Sequence, residues 1–472
     1  MTDFSNLDAI AQAELVATKR ASPAELLEAA IARAEAANPS LNFIAQPLYD
    51  RARKATTGNF NGPFAGVPFL VKDLHVHIAG ERSGEGSSLW NDYRPDYTST
   101  IYERILASGL NTFGKTTTPE LGLTVTTESR ATGLTRNPWN LAHSSGGSSG
   151  GSACAVAAGV VPIAQASDGG GSIRCPAAAC GIFGMKPSRG RVPMGPHSTE
   201  GWLGLSVVGA VSRSVRDSAA FLDAVHGAEL GSRYTAPAPE HSFLSEVSRA
   251  PGQLSVALML QPVSGVPVHP EVIAATRAAA KLLEGLGHIV EEAQPNLSAG
   301  ELSEAFVAIL SASTAADIAN RLKQMGRDAA DDDIEAVTQM FVHVGKQHSG
   351  PQLITANDIC QRAAITMARF MKQYDVVLSP VFAQPVIELG KIDLSDVASY
   401  GANVTAYSPF TSLHNQTGQP AMSVPLGTDS KGLPIGIMIA GRYGAEGLLF
   451  RLAGQIERAA PWADRRPAPQ PA

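Results

Sequence analysis

The sequence predicts an α/β fold, and three observations carry that prediction. Short apolar strands alternate with segments of helical periodicity from residues 66–73 to residues 445–460. Two glycine-serine clusters, residues 146–152 and 169–172, run straight into the apolar segment 153–166, so they read as loops anchored in a core rather than as linkers. The 472 residues are 44% hydrophobic and 17% charged, which is ample apolar material for a large core and unlike a disordered chain.

Taken in order, the chain opens with helices. Ser22-Pro23-Ala24-Glu25 is a capping box with proline at the first helical position, and Leu26, Leu27, Ala30 and Ile31 follow at helical spacing. Residues 66–73, Gly-Val-Pro-Phe-Leu-Val-Lys-Asp, give a short apolar strand ending in Lys72. Residues 100–108 read as a helix and 110–113 as the strand after it. Ser214-Val215-Arg216-Asp217 is a second capping box, opening a helix through Phe221, Leu222 and Val225. Residues 228–252 carry Pro, Gly, Ser and charge without periodicity and read as a long surface loop. Helices are expected at 270–286, 301–325, 355–374 and 445–460, and strands at 254–259, 376–378 and 435–440. The tail, 467–472, is proline-rich and reads as unstructured.

Composition excludes several classes of function. The net charge is −6, from 37 basic and 43 acidic residues, and no stretch gathers Lys and Arg into a patch, so no nucleic-acid partner is expected. Cys154, Cys175, Cys180 and Cys360 are too few and too irregular for a disulfide framework or a zinc site, and read as buried thiols in a reducing compartment. Residues 1–20 carry Asp3, Asp8 and Glu14 without a long apolar core, so a cytoplasmic protein without a signal peptide is expected. The longest apolar run, 153–166, contains Pro162 and is too short to span a bilayer, so no membrane partner is expected either.

Two local motifs compete for the chemistry and fail on context. Residues 109–116, Gly-Leu-Asn-Thr-Phe-Gly-Lys-Thr, match the phosphate-binding P-loop letter for letter. A P-loop needs a strand before it and a helix after it; here a helix precedes, the strand lies inside the pattern and Pro119 follows. Gly146-Gly147-Ser148-Ser149-Gly150 fits the G-x-S-x-G elbow of α/β-hydrolases, but residues 137–143 do not read as the strand that should lead into it, and none of the eleven histidines stands out as a partner.

A serine served by a lysine fits better. Ser172 follows Gly169-Gly170-Gly171, whose amides can converge on the oxyanion of a tetrahedral intermediate. Ser148 can stand between Ser172 and Lys72, passing the proton of the nucleophile to a neutral amine. Burial behind Phe69, Leu70 and Val71 would lower the lysine pKa as that role requires, provided Asp73 faces elsewhere.

Several segments in order (GVPFLVKD, GKTTTPE, RNPWN, GGSSGGSACAVAAG through SDGGGSIRCPAAACGIFGMKP, VSRSVRD and GQPAMSVPLG) resemble the amidase signature family over nearly the whole chain. The resemblance implies one domain over 1–472 built on a large twisted mixed sheet with helices on both faces. Its signature core covers about residues 60–217, a helical substrate-side region about 228–375, and a closing sheet and helix 376–462. It implies Ser172 as nucleophile, Ser148 as a bridging serine after a cis peptide bond, and Lys72 as base. Gly169, Gly170, Gly171 and Ser172 would supply oxyanion amides, and Asp168 would pair with Arg174 to hold the loop. No metal or cofactor is called for, and a homodimer is in keeping with the family.

Three departures, Gly169, Ser145 and Cys175, where bulkier or more rigid residues are common, suggest a roomier acyl-side pocket and a looser loop. Thr127, Glu128 and Ser129, with residues 202–205 and 310–314, are candidates for the pocket, Trp202 foremost. The C-terminal segments resemble those of nylon-oligomer hydrolases and related amidases. The expected reaction is therefore hydrolysis of bulky aryl or alkyl amides, with carbamates (urethanes) close behind. The alternatives are a glutaminase-type amidotransferase subunit and a catalytically silent binding protein.

Overall fold

The structure, a computed structural model, describes residues 4–330 and 332–468. Asp3 and residues 469–472 of the tail, on which sequence expectations bore, lie outside the described residues. Eleven strands form one mixed sheet: β1 (Ile44–Pro47), β2 (Pro68–Lys72), β3 (Asn111–Thr116), β4 (Ile163–Asp168), β5 (Phe183–Lys186), β6 (Val207–Ser212), β7 (Ser255–Leu258), β8 (Ile289–Glu292), β9 (Val376–Pro380), β10 (Ala421–Thr428) and β11 (Pro434–Gly441). Their order is β1-β3-β2-β4-β6-β5-β10-β11-β9-β7-β8. β2 is parallel to β3 and β4, and β7 is parallel to β8 and β9; every other neighbouring pair is antiparallel.

Strand alternation sorts the core into two layers. Phe69 and Val71 of β2 and Ile435, Ile437 and Ile439 of β11 pack on one face with helices Val215–Val225 and Glu446–Ala459. Leu70 faces the other way, onto helices Pro23–Leu41 and Gly150–Ala157, and farther along that face Met438 and Ala440 meet the helices that follow residue 298. The sheet is therefore covered by helices on both faces. Lys72, two residues beyond Leu70, emerges on the side of helix Gly150–Ala157, next to the first glycine-serine cluster.

Several elements differ from the sequence expectations for identifiable reasons. The segment 153–166 splits into the end of helix Gly150–Ala157 and the start of β4, because Gly159 takes a positive φ of 74° and Pro162 precedes the strand. Residues 140–144 are a strand after all, Asn140–Ser144, but it pairs with Arg136–Asn137 in a separate hairpin and does not feed a sheet strand into Ser148. Ser214 caps its helix, yet Asp217 does not close the box: its carboxylate accepts from the amides of Ala9 and Ile10 at 2.8 and 3.1 Å. In the P-loop look-alike, strand β3 takes up the last six of the eight residues and Lys115 is buried against Asp73 at 3.4 Å.

The helix Ala299–Met325 is long and apolar enough to cross a membrane by length and composition, although the sequence pointed to 153–166 as the longest apolar run. Glu301, Glu304 and Asp317 interrupt it in sequence while lying apart from its buried stripe of Leu302, Ala305, Ile309, Leu310 and Ile318. That stripe packs on helices Ala336–Gln347 and Gly350–Phe370. Glu120 ties this helical region to the signature core, accepting from Ser87 Oγ at 2.6 Å and from the Glu335 amide at 2.7 Å.

Candidate active site

The site is built from the ends of adjacent parallel strands β2 and β4, where open α/β sheets place their ligands. Lys72 ends β2 fully buried. Its Nζ hydrogen-bonds Ser148 Oγ at 2.7 Å and Ser167 Oγ at 3.1 Å, and its amide donates to Gln165 Oε1 at 2.8 Å. Burial lowers the lysine pKa to about 7, against the opposing pull of Asp168 and Glu85. Asp73 turns away to Lys115 and to the Gly84 amide, 3.0 Å from its Oδ2.

Ser148 follows a cis peptide bond after Gly147. Glycine is required at 147 because a Cβ there would lie 2.3 Å from the Thr126 carbonyl oxygen. Thr127 Oγ1 donates to the Gly146 carbonyl at 2.8 Å and accepts from the Gly150 amide at 3.0 Å, so it braces both ends of the loop that carries Ser148. Glu128 accepts from the Gly390 amide at 2.9 Å, and Ser129 Oγ donates to the Gly86 carbonyl at 2.6 Å. Thr127, Glu128 and Ser129 are buried in these bonds and do not line the cavity, which corrects their placement in the pocket.

The second loop hangs on Asp168. Its carboxylate accepts from Arg174 through Nε and Nη2, at 3.0 and 2.9 Å, with both side chains fully buried. Burial works against the charge of Asp168, but the guanidinium wins and holds the carboxyl well below its ordinary range. The carboxylate also accepts from the amides of Gly171 at 2.8 Å and Ile173 at 3.1 Å. Gly171 therefore does not offer its amide to an oxyanion, because the buried carboxylate already holds it. Among the described residues the amides of Gly169, Gly170 and Ser172 have no acceptor, and the Ser172 hydroxyl has no hydrogen-bond partner.

The C-terminal segment completes the clamp in a way the sequence did not reveal. Asn415 Nδ2 donates to both the carbonyl and the carboxylate of Asp168, at 3.0 and 2.9 Å, and Thr411 Oγ1 donates to the Gly170 carbonyl at 2.6 Å. Ser167, Thr411 and Asn415 were given no role from sequence, Ser167 even though it opens the SDGGGS segment, because nothing local says which way each side chain points; the register of β4 and the chain around the short helix Leu413–Gln416 bring them in.

A sequence profile of the amidase family matches residues 25–450. The chain belongs to the amidase signature family. It is 39% identical to the 6-aminohexanoate-cyclic-dimer hydrolase of Paenarthrobacter ureafaciens over 98% of this chain and 96% of that one. A solved structure of 6-aminohexanoate cyclic dimer hydrolase complexed with substrate superposes with a TM-score of 0.92 at 36% identity, covering 98% and 99% of the two chains. A bacterial aryl acylamidase of the same family superposes with a TM-score of 0.88 at 29% identity, covering 99% of each. The protein is thus an amidase-signature hydrolase acting on amide C–N bonds.

In this amidase, Ser172 and Gly170 open onto a cavity of about 470 Å³. Trp202, Phe306, Leu310, Phe341, Tyr400 and Phe410 stand in its largely apolar wall. Trp202 and Leu310 stand where the sequence put them, whereas Leu205 is core, Ser311 is buried and Thr314 borders a different cavity. The roomier pocket expected from Gly169 is not found at that position: a Cβ there would lie 2.5 Å from the Trp202 ring, so the indole fills the space that glycine leaves. Cys175 is buried with its thiol 3.4 Å from Ser408 Oγ, and Ser145 Oγ donates to the Thr135 carbonyl at 3.2 Å, so the loop is well tied at both departures. Phe306, Phe341 and Tyr400 were not foreseen, since no single-sequence signal separates a cavity aromatic from a core one.

Proposed function

We propose that this amidase cleaves bulky, largely apolar aryl and alkyl amides, and carbamates of similar shape, through an acyl-enzyme on Ser172. The observation that carries the reading is a buried lysine with a pKa near 7, hydrogen-bonded to Ser148, beside a serine that opens onto an aromatic-walled cavity.

With Lys72 neutral, Ser148 O–H donates to its Nζ and can in turn accept the proton of Ser172. Ser172 Oγ then bonds to the scissile carbonyl carbon, and the oxyanion meets the unengaged amides of Gly169, Gly170 and Ser172. Collapse breaks the C–N bond as the proton held by Lys72 returns through Ser148 to the leaving amine. Water repeats the sequence on the ester, releasing a carboxylic acid from an amide. From a carbamate it releases a carbonic half-ester, which loses carbon dioxide to give the alcohol. The apolar walls favour aryl and alkyl groups over the polar side chain of glutamine, which weighs against an amidotransferase subunit. The free, buried thiols Cys154, Cys175, Cys180 and Cys360 support a cytoplasmic setting.

The test is release of one chromogenic aniline from a matched anilide and O-alkyl carbamate by wild type and Ser172→Ala. Cleavage of both by wild type alone is expected. Cleavage of the anilide alone would remove the carbamate from the reading, and silence on both would overturn it.

A further inference from the structure

A second cavity, about 180 Å³ in volume, adjoins the first and holds none of the reacting groups, although Glu85 in its wall pulls on Lys72. Trp202 lines both cavities. Leu121 borders the second and Gly122, next in the chain, borders the first, while a Cβ on Gly122 would lie 3.0 Å from Ser148 Oγ. Along helix Ala299–Met325, Leu310 faces the first cavity and Thr314, one turn on, the second. The second chamber thus begins within a residue or a helical turn of the catalytic cluster.

Its lining differs from that of the first. Glu85 and Asp317 bring carboxylates, His75 and His77 bring imidazoles, and Trp90, Tyr93, Tyr97 and Trp202 bring aromatic faces. Glu85 has a side chain only 5% exposed. Its Oε1 accepts from Ser83 Oγ at 3.2 Å and from the His75 amide at 3.4 Å. Among the described residues no hydrogen bond reaches Oε2, whose neighbour is His75 Nδ1 at 4.0 Å. Burial lowers His75 to about 4 and His77 to about 3, so the imidazoles are neutral at neutral pH. Burial also raises Glu85 to about 7, with Asp73 adding to the rise and Lys115 opposing it, and raises Asp317, so a cation entering the chamber would draw both carboxyls toward their charged forms.

The cation at the rim is already engaged: Arg321 bonds Asp92 and the Leu89 carbonyl and stacks on Tyr93, 5.1 Å from the ring centroid. Four wall residues, His75, Glu85, Leu121 and Trp202, hold positive φ of 61°, 52°, 50° and 51°. Non-glycine residues keep that conformation only where the surroundings over-determine it.

Oε2 thus has no protein donor while its side chain lines the chamber, and a carboxylate oxygen so placed favours a ligand that brings a donor. An alkylammonium supplies three N–H donors and a positive charge, and its chain suits aromatic walls. We propose that this chamber is a subsite for a primary ammonium group carried by the substrate some bonds away from the scissile carbonyl, with Glu85 and Asp317 as its counter-charges. This deepens, and rests on, the amide-hydrolase reading of the neighbouring cavity, and it makes ω-amino-acyl compounds the preferred substrates of this enzyme.

Two measurements on the full chain test it. In the first, isothermal calorimetry compares n-butylammonium with 1-butanol and butyrate. The ammonium is expected to bind at least tenfold more tightly than the alcohol, and Glu85→Gln and Asp317→Asn are each expected to remove that margin; Asp317 is exposed on its helix, so its variant is expected to fold. Equal binding of alcohol and amine, tighter binding of butyrate, or a margin that survives both substitutions would overturn the proposal.

In the second, a ladder of ω-amino-acyl anilides is compared with methyl-terminated isosteres of equal length. One length is expected to show a KM at least tenfold lower for the amine, and the ratio should collapse toward one in both variants. Ammonium binding without any such length would overturn the link to the substrate. Failure of wild type to cleave any anilide would overturn the amidase reading instead, while calorimetry would still decide whether the chamber takes a cation.

Discussion

The loops at the ends of β2 and β4 and the helices that wall the cavity are built on opposite principles. In the loops the supporting polar groups are held and the ones that face the substrate are left open: Asp168 alone receives Arg174, Asn415 and two backbone amides, and Lys72 is fixed by Ser148, Ser167 and Gln165. In the helical wall, Phe306, Leu310, Phe341 and Tyr400 present apolar surface whose exact shape is set by packing. Hydrogen bonds fix direction and charge, whereas apolar contact selects by size. One region therefore governs whether a carbonyl reacts, and the other which molecule brings it.

The sharpest break of that contrast is Ser172→Ala. It removes the bond-forming atom and should lower kcat by on the order of 10⁴-fold or more for every substrate, with unchanged thermal stability, as read by steady-state kinetics and calorimetric melting. Lys72→Met should cost about 10³-fold, again without regard to substrate. In the wild type the proton on Lys72 blocks its role as base, so kcat/KM should rise with pH through about 7 and level off above it. A rate that is flat from pH 6 to 9, or a rising limb that persists in Lys72→Met, would assign the base elsewhere.

Asp168→Asn sharpens the comparison through stability. It leaves the Arg174 guanidinium buried without its counter-charge, a loss of about 3–5 kcal/mol, and it frees the Gly171 amide to swing, so both Tm and kcat should fall. The carboxyl of Asp168 is held below its unfolded value, so its contribution is present in full above about pH 4 and is lost as the solution is acidified toward the folded pKa. Thermal melts at pH 7 and pH 5 should therefore show the same gap between wild type and variant.

The same contrast decides how much could be read from the amino-acid sequence. Lys72, Ser148, Ser172, Asp168 and Arg174 stand in motifs because each must be one residue type at one point of the backbone, and the structure brings Lys72 to Ser148 and Asp168 to Arg174. Alternating strands and helical periodicity likewise gave the α/β class and most long helices. The central strand β4 was hidden inside an apolar run that also contained part of a helix, and the hairpin strand Asn140–Ser144 was hidden by polar residues. Gly171 misled because its amide turns back to the Asp168 carboxylate three residues earlier, a local side-chain bond that takes it out of the oxyanion set. The cavity aromatics had no signature at all, since a phenylalanine facing a ligand and one facing the core obey the same pattern.

The smallest predicted effect follows from that last point. Phe306 lies along the cavity wall, and its ring would meet a Cβ on Gly170 at 3.0 Å. Phe306→Ala removes apolar contact from the substrate without touching a hydrogen bond of either loop. For a bulky anilide the loss should raise KM by about 10–100-fold, equivalent to about 1.4–2.7 kcal/mol of contact, while acetamide, with little apolar surface to lose, should change by less than about twofold. A uniform fall in kcat across both substrates would instead mean that the ring holds the Gly170 loop in place, and the division between a hydrogen-bonded reacting centre and an apolar selecting wall would fail at this contact.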